Sequence, residues 1–109
     1  MTQNQTTQIA VQKGEIYYHY KYFTNQNLEL KNHYIYKIIG LAGNASGDNY
    51  AQIWVVYEPL QKTDHLKEFG VDCYIRPLAE FLETVTVDDC QIPRFTKANY
   101  MFKPMSNLT

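Results

Sequence analysis

Between Gly14 and Phe95 the chain consists of short apolar runs separated by Gly, Pro, Asn and Asp. From Glu15 to Tyr22, Ile16, Tyr18, Tyr20 and Tyr22 occupy alternate positions, with His19 and Lys21 between them. Successive strand residues point to opposite faces, so this run predicts a half-buried strand with His19 and Lys21 on its second face. Thr24 to Asn32 is polar and predicts a loop or small excursion. Tyr34 to Ala42 is apolar on both faces except at Lys37, as a central strand would be. A turn is expected over Gly43-Asn44-Ala45-Ser46-Gly47-Asp48-Asn49. Gln52 to Glu58 then forms a third strand, which carries the only Trp and stops at Pro59.

Residues 61–70 are polar and predict a loop ending at Gly70. Val71 to Arg76 is the fourth strand, closed by Pro77. Pro suits the first turn of a helix, and Leu78, Phe81 and Leu82 follow at helical spacing, so a turn or two of helix should plug the end. Val85-Thr86-Val87 then folds onto Gln91-Ile92 around Asp88-Asp89. The expected core is Trp54, Val56, Ile75, Phe81 and Leu82.

This pattern predicts an all-β domain, a small SH3-like barrel or roll of about five to six strands with one short helical turn near the C-terminal hairpin. An open α+β sheet is the alternative, but only one brief helical segment is on hand to cover it. Residues 1–12 are expected to be a flexible tail, 13–95 the barrel domain and 96–109 a second tail.

Composition narrows the function more than the fold. A chain of 109 residues suits one domain, and Tyr, present ten times, serves strands well because its ring packs while its hydroxyl reaches water or a partner. A net charge of −1 argues against non-specific nucleic-acid binding, whose affinity comes mainly from releasing counterions at a cationic surface. Met1 to Gln8 lacks the basic start and apolar run of a signal peptide, and no stretch approaches membrane-spanning length, so a cytoplasmic protein with free thiols at Cys73 and Cys90 is expected.

The segments Lys13-Gly14, Tyr18-His19-Tyr20-Lys21 and Tyr36-Lys37-Ile38-Ile39-Gly40-Leu41-Ala42 begin a recognisable series. Val55-Val56-Tyr57, Ile75-Arg76-Pro77-Leu78, Phe81-Leu82-Glu83-Thr84-Val85 and Ile92-Pro93-Arg94-Phe95 complete it. In this order they resemble the small bacterial proteins grouped as domain of unknown function 1653, over Lys13 to Phe95. The resemblance implies an SH3-type barrel and no established activity. The chain departs from that pattern with apparent insertions at 22–33 and 61–70. It also departs with Asp89 where Gly often follows the Asp of the terminal turn, which suggests a different turn type.

Arg76 and Arg94 are the first candidates for a binding site, because a guanidinium offers a planar fork to carboxylate or phosphate. Against this stands a structural role for each, paired to Glu80 or Glu83 beside a proline. His19 is a candidate base or contact, while a hydrogen-bonded, partly buried histidine is the plainer reading. Tyr57 and Trp54 are candidate aromatic walls of a groove, although core and cross-strand pairing explains such residues more economically. Cys73, Cys90, His19, His33 and His65 each stand alone, so no metal is expected. The glycine turn at 43–47 lacks the Lys and following helix of a phosphate loop, and no cofactor is expected. Asp88 and Asp89 suit a turn better than a carboxylate pair for hydrolysis. No catalytic residue is assigned.

The leading expectation is a non-enzymatic binding or adaptor module with a groove for an anionic ligand or peptide, edged by Arg76 and Arg94. The alternatives are a small enzyme domain using His19 and a carboxylate such as Glu83, or a homodimer that buries exposed tyrosines. The ligand, the partner and the oligomeric state are open at this point.

Overall fold

The computed structural model describes residues 10–46 and 51–98. Its first strand, β1 (Ile16–His19), is short because the chain turns into helix α1 (Tyr20–Thr24) as soon as the His19 side chain can cap it. His19 Nδ1 accepts the Lys21 N–H at 3.2 Å, satisfying one of the free donors of the first turn. The strand expected to continue to Tyr22 therefore ends four residues in. A 3-10 helix (Leu28–Tyr34) follows, where a loop was expected, and leads into β2 (Ile35–Ala42).

Five strands form one antiparallel sheet in the order β4-β3-β2-β1-β7, with β3 (Trp54–Pro59), β4 (Tyr74–Pro77) and β7 (Phe95–Lys97) joining the two already named. Strand β2 is central, as its two apolar faces predict. Strands β5 (Thr84–Val87) and β6 (Cys90–Pro93) form a separate hairpin. The expected predominance of strands holds, with seven strands among the described residues arranged in open sheets where an SH3-like barrel of five to six strands with one helical turn was expected. Helix is also more abundant than that single turn, since α2 (Asp64–Phe69) and α3 (Leu78–Phe81) add to α1 and the 3-10 segment.

Helix α2 lies inside the expected loop 61–70. Thr63 caps it by accepting the Leu66 N–H, and Gly70 ends it at a φ of 66°, where a side chain would be strained. Leu66 is fully buried and anchors the helix. The Thr63 hydroxyl also meets the Tyr74 hydroxyl at 2.7 Å, tying α2 to β4.

Both faces of the sheet are packed over β1 and β2. On one, Tyr17, Tyr36, Ile38, Val55, Tyr57 and Phe95 pack with Phe81 of α3 and with Val11. On the other, Ile16, Tyr18, Ile35 and Ala98 pack under Tyr22 of α1. The Lys31 ammonium holds that cover in place, donating to the Tyr22 carbonyl at 2.7 Å and lying 4.6 Å from the Tyr22 ring. The apparent insertion at 22–33 is therefore what roofs the second face of β1.

The cross-strand register corrects the expected core. Val55 pairs with Arg76 and Tyr57 with Tyr74, so these four share the face that α3 covers. Trp54, Val56 and Ile75 occupy the opposite face, and Ile75 is 59% exposed. Leu82, just past α3, is also exposed, which leaves Phe81 as the one member of the expected set in the core. At the hairpin tip Asp88 and Asp89 both take positive φ, 51° and 66°. Two aspartates thus adopt the turn that the missing glycine argued against, because Asp tolerates the left-handed region better than most side chains.

Among the described residues no helix is long and apolar enough to cross a membrane. Cys73 is half-buried before β4, Cys90 is exposed in β6, and both are free thiols.

Candidate functional site

Phe95 is the hub around which the polar candidates gather. Its cross-strand partner is His19, whose ring centroid lies 5.0 Å away. Phe81 stacks on it at 3.9 Å, and the rings of Tyr57 and Tyr36 meet it edge-on at 5.6 and 5.9 Å. Arg76 reaches the same cluster from β4, with its guanidinium carbon 5.8 Å from the Phe95 ring. Arg94 arrives through sequence, as the residue before Phe95. Its carbonyl accepts the Tyr20 N–H at 2.8 Å, and its N–H donates to the Glu83 carbonyl at 2.9 Å. Those two bonds clamp the end of β1 to the segment between α3 and β5.

Glu80 joins the two arginines. Arg76 Nη1 donates to Glu80 Oε1 at 3.2 Å, while Arg94 Nε donates to the Glu80 carbonyl at 3.1 Å. Arg76 Nε also donates to the Tyr57 hydroxyl at 3.2 Å, and Arg94 Nη2 to Glu83 Oε1 at 3.3 Å. The remaining N–H groups of both guanidiniums make no hydrogen bond to a described residue. The arginine side chains are 26% and 22% exposed against 49% and 55% for Glu80 and Glu83, so the cations sit deeper than their partners.

His19 stays neutral at physiological pH. Burial is the main reason its pKa falls to about 4, and the positive charges of Lys21, Arg76 and Arg94 push it the same way. Since Nδ1 accepts the Lys21 N–H, the ring proton sits on Nε2, which faces no described hydrogen-bond partner. Burial works against the charge on Arg76, but the Tyr57 hydroxyl and Glu80 outweigh it and hold its pKa above the ordinary value. Burial raises the Tyr36 hydroxyl, helped by the nearby tyrosines 57, 74 and 34, with Arg76 opposing.

The fold therefore gathers His19, Tyr57, Arg76 and Arg94 on one face and leaves Trp54 on the other. Tyr36, Tyr74 and Phe95 belong to the cluster and were not singled out in the sequence. The alternation of Tyr36 and Ile38 with Lys37 was the signal that places Tyr36 inward. The arrangement suits holding an anion better than proton transfer. His19 bonds to no described carboxylate that would orient it as a base, and the Glu83 carboxylate is engaged by Arg94. Among the described residues no three metal-ligating side chains converge. A separate apolar pocket of about 280 Å³, lined by Ile53, Pro77, Leu78 and Leu82 among others, includes neither arginine nor His19.

A family model described as a protein of unknown function, DUF1653, matches residues 15–97, a span that holds every member of the cluster. No curated protein and no solved structure matches the chain.

Proposed function

The chain belongs to the DUF1653 family, and we propose that it is a non-enzymatic binding module whose arginine-edged site takes an anionic group. The observation that carries this reading is the pair of partly buried guanidiniums, linked through Glu80 and each with N–H donors that make no hydrogen bond to a described residue. Arg94 and Arg76 are each anchored at Nε, which aims the rest of the fork. A guanidinium held this way binds an oxyanion with little further ordering. The ion pairs to Glu80 and Glu83 serve as orienting contacts, since exposed pairs of this kind contribute only about 0–1 kcal/mol to stability.

The test is a thermal-shift titration of the full chain with small carboxylates and phosphates, on the native protein and on Arg76→Lys and Arg94→Lys. Lys keeps the charge and removes the fork. A binding anion should raise the native midpoint, because it stabilises only the folded state. The lysine variants should start within a few degrees of the native midpoint and respond less. Lysine variants that lose stability outright, with no anion moving the native protein, would assign the arginines to the framework. In that case a double-mutant cycle of Arg76 with Glu80 should give a coupling well above ~1 kcal/mol.

A further inference from the structure

Tyr36 is 7% exposed, and its hydroxyl makes no hydrogen bond to any described residue. A buried hydroxyl without a partner is costly, so a native one calls for an explanation. Its neighbours supply the explanation. The Tyr36 ring lies 5.1 Å from Tyr57 and 6.3 Å from both Tyr74 and His19, in the same cluster that Arg76 enters through its bond to Tyr57. Tyr57 and Tyr74 have partners, in Arg76 and Thr63. Tyr36 is the hydroxyl left over, in one cluster with a guanidinium and a histidine whose remaining N–H groups make no hydrogen bond to a described residue. All three can donate, the guanidinium and the Nε2–H as donors only. The group that satisfies them together must present several acceptor lone pairs in a small volume.

Charge then narrows the class. Arg76 and Arg94 are balanced by Glu80 and Glu83, and His19 is neutral, so Lys21 supplies the surplus of one positive charge around the site. That surplus matches a monoanion. A phosphate monoester carries about −1.5 to −2 at neutral pH, and it would bring its extra charge against the two glutamates that border the arginines. Resting on the anion-binding reading above, we infer that Tyr36 is a further ligand-binding residue of this site and that the bound group is a carboxylate. One carboxylate oxygen accepts from the guanidiniums and the other from the Tyr36 hydroxyl.

Phenylacetate and phenyl phosphate, matched in their rings, test the proposal when titrated against the full ¹⁵N-labelled chain. The readout is the Arg76 and Arg94 Nε–H signals. Phenylacetate should shift both saturably and bind several-fold more tightly than phenyl phosphate. Tyr36→Phe should weaken phenylacetate roughly tenfold, the scale of one hydrogen bond to a charged group. The same variant should leave the urea midpoint of the free protein unchanged or raised, since it removes a hydroxyl with no partner in the fold. Unchanged phenylacetate affinity in Tyr36→Phe, or a lowered midpoint, would overturn the role of Tyr36. Tighter binding of phenyl phosphate would overturn the carboxylate assignment while leaving the arginine site standing. If neither anion moves either arginine signal, the site itself falls, and the proposed function with it.

Discussion

His19 has two tasks in one ring, and they carry a pH signature. Its Nδ1 caps α1, and its neutral imidazole packs on Phe95. The folded pKa of about 4 lies below the ordinary value of 6.5, so the unfolded chain takes up the proton first as the solution is acidified. The stability contributed by the neutral ring is therefore complete above 6.5, falls as the pH drops towards 4 and is gone below it. Because the ring is only partly buried, about 1–2 kcal/mol is expected rather than the full value of the shift at ~1.4 kcal/mol per unit. His19→Asn keeps an acceptor for the Lys21 N–H and removes the titration. Urea unfolding at intervals across this window should show a shallower decline for the variant than for the native chain. Parallel declines would mean that the ring is as readily protonated in the fold as outside it. At this scale the residue types in the sequence were informative: Arg76, Arg94, His19 and Tyr57 were identifiable as candidates. Tyr36 was not, because a tyrosine in a strand looks the same whether its hydroxyl is satisfied or not.

At the scale of elements, β3 and β4 show how alternation leaves a choice of face open. Trp54, Val56 and Ile75 share one parity, and Val55, Tyr57, Tyr74 and Arg76 share the other. Both sets contain large apolar residues, so periodicity alone does not say which faces the core. The decision lies with α3, which Pro77 starts and which drives Phe81 into the face bearing Val55 and Tyr57. Phe81→Ala should accordingly cost about 3–5 kcal/mol, whereas Ile75→Ala should change stability by less than about 0.5 kcal/mol. Equal shifts in the urea midpoints of the two variants would reverse the face assignment. Helix α2 was legible in principle, since Thr63 before the segment and Gly70 after it are the usual start and stop signals. Its polar interior, with Leu66 as the one buried residue, concealed it.

For the whole molecule, the apolar surface available to a partner is not the tyrosine surface expected from composition. No tyrosine among the described residues is exposed. The open side instead carries Ile75, directly across from Val56 on β3, with β4 as the edge of the sheet. We propose self-association through Ile75 at this sheet edge as a second reading of the molecule, independent of the arginine site on the other face. Sedimentation equilibrium should then show a dimer that Ile75→Glu converts to a monomer. A native chain that is monomeric across the concentration range would remove that reading without touching the first.

The amino-acid sequence by itself determined that strands dominate, that β2 is central, that a short helix follows Pro77 and that a hairpin turns at Asp88-Asp89. Each rests on local causes: side-chain alternation, the proline ring and turn chemistry. Tertiary structure alone decided which face of each strand is buried and that the sheet stays open. It also decided that residues 20–34 roof the second face and that Glu80 draws two distant arginines together. Those outcomes depend on contacts between residues far apart in the chain, and pairing across such distances is set by the packing of whole elements, to which a local pattern is blind.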